Sequence, residues 1–151
     1  MHDNDQAMRE FAKTLALPEF EETAFTKPPP LREARVAIVT SAALHRIGSP
    51  KWKVEDFHFE ILPNDARDLK LGHLSPNFDR AGFAADMNVV YPGDRLQELS
   101  DQGVIGSVAH YHYAFAGNQP EGLSALRLDT GPACAQKMRE DGVDVVLLTP
   151  V

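Results

Sequence analysis

Two short runs rich in β-branched residues, RVAIVT at 35–40 and VDVVLL at 143–148, constrain the fold more than any other feature. Neither alternates regularly between apolar and polar, so each reads as a strand buried on both faces, the pattern of a parallel sheet covered by helices, with a C-terminal edge strand as the alternative for 143–151. Between them, FHFEIL at 57–62 alternates as a half-buried strand does. Residues 104–115 (VIGSVAHYHYAF) read as a strand bent at Gly106, and 87–91 as a brief apolar strand. Helical signals separate these runs. Pro92 and Asp94 start a helix over 95–101 that Gly103 stops; a second spans 124–141, divided at Gly131 and Pro132 and ended by Gly142. The expected fold is α/β, a mainly parallel, helix-flanked, Rossmann-like sheet.

That sheet accounts for residues 31–151. Ahead of it, residues 1–30 read as an amphipathic segment and a connector. Met8, Phe11, Ala12 and Leu15 fall at helical spacing, and the segment is expected to dock on a neighbour. Pro28, Pro29 and Pro30 then hold the chain extended, because they lack backbone donors. With 22 acidic residues against 15 basic ones, the formal charge of −7 disfavours nucleic acid and anionic membranes as partners. No apolar run approaches the roughly 20 residues of a membrane span, and MHDNDQAMRE lacks the features of a secretion signal. The expected location is cytoplasmic. A single cysteine, Cys134, excludes an internal disulfide, a thiolate zinc cluster and a two-cysteine redox centre within this sequence. Its apolar helical setting, GPACAQKMRED, reads as that of a buried, inert thiol.

In open α/β sheets the ligand site lies at the carboxyl ends of the strands. His45 follows the first strand and is therefore expected at the same sheet edge as Thr149 and Pro150, which follow the last. The segment 63–86 is a long, aperiodic loop punctuated by Gly72, Pro76 and Gly82; loops of this kind often carry function. His73, Asp79 and Asp86 within it are candidates to orient substrate, move protons or bind a cation, with a solvated turn at Asp79–Arg80 and a cap at Asp86 as the structural alternatives. His110 and His112, two apart on a strand, would share a face, where with His73 they could ligate a metal. Tyr111 and Tyr113 would pack on the opposite face.

The segments LPEFEETAF, ARVAIVTSAALH, LGHLSPNFDRAGFAADMNVVYPGDRLQEL, GVIGSVAHYHYAFAG and DGVDVVLLTPV occur in that order. Together they resemble the N-terminal part of the selenoprotein B family of glycine, sarcosine, betaine and D-proline reductases, most of all the D-proline type. In that family the strand similar to VDVVLLTPV runs into a selenocysteine, or a cysteine in its place, with another cysteine three positions later. The resemblance therefore implies a domain incomplete at its C-terminus, a nucleophile following Val151, and a UGA codon read there as termination. It also implies reductive cleavage of a carbon–nitrogen bond in a small amino acid, and a partner subunit whose pyruvoyl group activates that substrate. An electron-donor protein is a further implied partner. Selenium suits this task because its acid is ionised where a thiol, with a pKa near 8.5, needs help. His112 and Tyr113 match the family's HYSF-like element; His110 departs from it.

Taken literally, these residues contain no catalytic group of that kind. His45, His73, Asp79, Asp86, His112, Thr149 and Pro150 remain as substrate-binding or supporting residues. Two other readings fit the same sequence: a non-catalytic α/β binding or scaffold subunit, and a metal-dependent hydrolase or lyase using His73, Asp79 and His112. An interrupted sheet would also expose an apolar face and self-associate as a homo-oligomer.

Overall fold

The computed structural model describes residues 2–14, 25–75, 80–117, 119 and 124–151. It is a mixed α/β fold. β1 (Arg35–Thr40) lies at the centre of the main sheet. β7 (Val145–Thr149) pairs with it in parallel, from Val36 opposite Val145 to Thr40 opposite Thr149. Along its other side run β5 (Ser107–Val108) and β6 (Tyr111–Phe115), both parallel to β1. β3 (Phe59–Pro63) joins β6 antiparallel. β2 (Leu44–Arg46) and β4 (Leu69–Leu71) form a separate antiparallel pair.

Alternation along β1 separates its two faces. Val36 and Ile38 point into a core shared with Leu62, Val90, Tyr91, Ala114 and Leu96 of α3 (Gly93–Asp101). Ile38 and Leu62 are fully buried, and each such side chain stabilises the fold by about 1.5–3 kcal/mol. On the opposite face Tyr113 is buried, and a cleft of about 420 Å³ separates Tyr111 and Tyr113 from Lys137 and Glu140 of α4 (Gly131–Glu140). Cys134 is the one residue that α4 buries.

The helix signals at Pro92, Asp94 and Gly103 are met by α3, and Gly131–Pro132 marks the change from a π-helical turn, Leu126–Thr130, into α4. Other expectations require correction. Residues 87–91 form a 3₁₀ turn, Met87–Val89, not a strand, because the Asp86 carboxylate accepts the Asn88 N–H and nucleates a helical turn. The long loop contains β4 and a short helix, α2 (Ala81–Ala85). The run 104–115 breaks after Val108 instead of bending at Gly106. Between the pairs Val36–Val108 and Val39–Tyr113, the four residues 109–112 stand against two of β1, so the strand bulges there.

The largest correction concerns β7. It lies at the sheet edge, with Val146, Leu147 and Leu148 exposed by 38%, 38% and 68%, so it is not buried on both faces. α1 (His2–Thr14) forms as the spacing predicts, but Phe11 is 60% exposed instead of docked; Leu15 lies outside the described residues. No described helix is long and apolar enough to cross a membrane.

Candidate functional site

The parallel strands β1 and β7 end side by side, and their ends are tied together by side chains from three segments. The Ser41 hydroxyl, one residue past β1, accepts the Val151 N–H at 2.9 Å and lies 3.3 Å from the Val151 main-chain oxygen. His73 reaches the same oxygen through Nε2 at 3.2 Å. Its Nδ1 accepts the Ser75 N–H at 3.2 Å, which leaves the proton on Nε2, so the ring donates to Val151. Arg80 supports this loop by donating to the carbonyls of His73 (2.9 Å) and Ser75 (3.3 Å).

Beneath this clamp the hydroxyls of Thr40 and Thr149 both donate to the Val90 carbonyl, at 3.0 and 2.9 Å. The strand ends are thereby fastened to the turn that leads into α3. Gly117 is what lets His73 in: a Cβ there would stand 2.7 Å from Nε2 and 2.8 Å from the Ser41 carbonyl oxygen. Every larger residue would displace the ring.

Of the sequence candidates, His73 and Thr149 therefore meet at the strand ends. Pro150 lies between Thr149 and Val151 and is exposed. His45 does not join them. It belongs to β2, is 7% exposed, and sits with Nδ1 3.3 Å from the Ala43 carbonyl, its ring against Gly72. The backbone enters the small second sheet directly after Ala43, which carries His45 there. Asp79 lies outside the described residues.

Asp86 is a cap. Its Oδ1 accepts both the backbone and side-chain N–H groups of Asn88 at 2.9 Å, and these bonds lower its pKa. The Asn88 side-chain nitrogen also donates to Asp94 at 3.2 Å. Asn88, Tyr91 and Asp94 line a cavity of about 380 Å³ closed on other sides by Arg67 and His112.

His110 and His112 do not share a face, because the bulge places His110 before β6 begins. His112 is 1% exposed, and its Nδ1 accepts the Ile38 N–H at 3.1 Å, satisfying a strand donor where the bulge interrupts the ladder. Burial drives its pKa down to about 4, so the ring is neutral. His110 bonds through Nδ1 to the Asp141 carboxylate, which also accepts the N–H groups of His110 (2.8 Å) and Tyr111 (3.3 Å). Burial opposes that carboxylate's charge, but these donors outweigh it and lower its pKa. Among the described residues, no three His, Cys, Asp or Glu side chains gather closely enough to hold a metal ion. The structure does not bring His73, His110 and His112 into one group.

Cys134 is 2% exposed, and burial raises its pKa to about 12, which removes it as a nucleophile at neutral pH. Sequence reading missed Ser41, Tyr91 and Asp141. Ser41 carried a signal, a small hydroxyl residue directly after a buried strand; Tyr91 and Asp141 act through packing that local pattern does not encode.

Residues 5–151 match the family described as glycine/sarcosine/betaine reductase selenoprotein B (GRDB). The chain is 31% identical over 133 residues to D-proline reductase subunit gamma of Acetoanaerobium sticklandii, covering 81% of this chain and 54% of that protein. It is 26% identical over 151 residues to betaine reductase complex component B subunit beta of Peptoclostridium acidaminophilum, covering 93% of this chain and 33% of the relative. To glycine reductase complex component B subunit gamma of Carboxydothermus hydrogenoformans it is 29% identical over 147 residues, covering 87% and 32%. It spans about half the length of the first of these relatives and about a third of the other two. No solved structure matches it. With the family match running through both the strand-end clamp and the cavity, the chain belongs to the glycine/sarcosine/betaine reductase selenoprotein B family.

Proposed function

We propose that this chain is the scaffold of a selenoprotein B-type reductase subunit, a cytoplasmic component of a complex that reductively cleaves a carbon–nitrogen bond in a small amino acid. The names of the relatives, which refer to D-proline, betaine and glycine reduction, support a small amino acid as the substrate class. A selenol or thiol following Val151 would supply the attacking nucleophile, against a substrate held on the pyruvoyl group of a partner subunit and with electrons from a donor protein. The observation that supports this reading is the clamp of Ser41 and His73 on Val151.

In this reading the chain's own residues act by positioning. Ser41 and His73 fix the main chain at Val151, so that whatever follows leaves the sheet in one direction. Orientation of a reacting group is worth several kcal/mol of barrier, and a displacement of about 1 Å can cost about 100-fold in rate. Thr40 and Thr149 hold the strand ends to the Val90 carbonyl, and Arg80 keeps the His73 loop in place. The mainly parallel arrangement of β1, β5, β6 and β7 supports a Rossmann-like use of the carboxyl edge. Cys134 plays no part.

The test uses the protein with its native continuation, assembled with its partner subunits. Ser41→Ala and His73→Gln should each lower turnover of proline, glycine, betaine or sarcosine about 10- to 100-fold, with the fold retained by circular dichroism. Unchanged turnover in both variants would overturn the positioning role. Failure of the intact complex to reduce any of the four substrates would overturn the reductase assignment itself.

A further inference from the structure

The cavity of about 380 Å³ is separate from the clamp: none of Ser41, His73, Thr149 or Val151 lines it. It lies between the segment 64–69, the turn 87–91 and α3, with His112 and Val108 of the sheet behind it. Its volume suits a small organic molecule.

The polar groups around it are unevenly supplied with partners. Tyr91 is 6% exposed, and its hydroxyl has no hydrogen-bond partner among the described residues. Its ring is fixed by an edge contact with His112, the centroids 5.4 Å apart. The hydroxyl also feels the charges of Arg67 and Asp94, which stand on the cavity wall. The Asn88 side-chain oxygen is likewise buried and without a partner among the described residues. Its orientation is settled by its neighbours, since the amide nitrogen faces two carboxylates, Asp86 at 2.9 Å and Asp94 at 3.2 Å, and only a donor belongs there. A buried polar atom left unpaired is costly, so two of them beside one cavity favour an occupant that supplies donors.

Charge selects among such occupants. Among the described residues, Asp94, Glu98 and Asp101 line the cavity against one cation, Arg67, whose guanidinium is engaged by the carbonyls of Asn64 and Ala66 at 3.2 and 3.1 Å. Glu98 is partly neutralised by Arg95 at 2.8 Å outside the lining, while among the described residues Asp94 receives the neutral Asn88 amide and no cation.

We infer that this cavity binds a small ammonium cation, whose N–H groups donate to the Asp94 carboxylate and the Asn88 side-chain oxygen, with the Tyr91 hydroxyl and ring beside them. An ammonium carries several donors and no acceptor, the complement of this wall. The Tyr91 ring adds the attraction of an aromatic face for a cation. Asp86 is the positioning residue, since it holds Asn88 in the orientation that presents its oxygen.

The test titrates the protein with ethanolamine hydrochloride, with potassium chloride at equal ionic strength and sodium acetate as controls, and follows backbone amide shifts by NMR. Ethanolamine should shift the amides of Asn88, Tyr91 and Asp94 in a saturable way, with millimolar affinity, and the controls should not. Asp94→Asn should weaken binding about 10-fold, the loss of one charge-assisted hydrogen bond. Tyr91→Phe, which keeps the ring and the packing, should weaken it less and leave the melting temperature without ligand near wild type. Equal shifts with potassium chloride, or saturable binding unaffected by Asp94→Asn, would overturn the site. Acetate binding in place of ethanolamine would overturn the charge assignment.

Discussion

Acidifying the protein from pH 7 to pH 4 should remove about 3 kcal/mol of stability through a single side chain, His112. In the folded state its ring is buried with Nδ1 accepting the Ile38 N–H, and burial holds its pKa at about 4. In the unfolded chain the same ring titrates near 6.5. Between these values the unfolded state binds the extra proton, so stability falls as pH drops through 6.5 and the loss is complete below about 4. The gap between the two values, at about 1.4 kcal/mol per unit, gives the magnitude. Small domains are stable by only about 5–15 kcal/mol, so the loss is easily measured by urea denaturation followed by circular dichroism. His112→Asn keeps an acceptor near the Nδ1 position and removes the titration; its stability should be nearly flat between pH 6.5 and 4.5, above the range of most carboxylates. His112→Phe removes the acceptor and should cost about 1–3 kcal/mol at pH 7, because the Ile38 N–H is then buried without a partner. If His112→Asn follows the wild-type pH profile within about 0.5 kcal/mol, the reasoning that His112 is a neutral ladder substitute is wrong.

Three further outcomes follow from the same structure. Gly117→Ala should destabilise the protein by about 1–3 kcal/mol and release His73 from Val151, visible as a changed chemical shift of the His73 ring protons in NMR; an unchanged ring signal would refute the close approach. Cys134 should resist iodoacetamide at pH 7 in the native protein and react fully in urea; rapid native labelling would refute its burial. Leu148→Lys, placed on the exposed edge strand, should change stability by less than about 0.5 kcal/mol in urea denaturation, whereas a loss above about 1 kcal/mol would show that this side chain is packed.

Much of the architecture was legible in particular residues. RVAIVT is the central strand because small and β-branched side chains fit a site enclosed on both faces, and Pro92, Asp94 and Gly103 punctuate α3 because each suits its terminal position. VDVVLL is as apolar as RVAIVT and yet lies at an edge, since composition reports compatibility with burial and not the presence of a neighbour. The two histidines of HYHY show the matching limit for the site. Spacing by two implies one face only if the strand is regular, and the bulge at 109–112 sends His110 to Asp141 and His112 to Ile38. His73 was legible as a functional candidate from its loop, but its partner Ser41 lies 32 residues away in sequence and becomes visible only once β1 and β7 end together.

The central claim is the proposal that a reactive selenium or sulfur atom would follow the Ser41–His73 clamp and be aimed by it. The direct measurement is peptide mass spectrometry on the native subunit after brief alkylation with iodoacetamide at neutral pH. The account predicts the label on a selenocysteine or cysteine within a few residues after Val151, with Cys134 unmodified. A native subunit that carries no such residue there, or one that reduces its substrate with the label confined to Cys134, would contradict it.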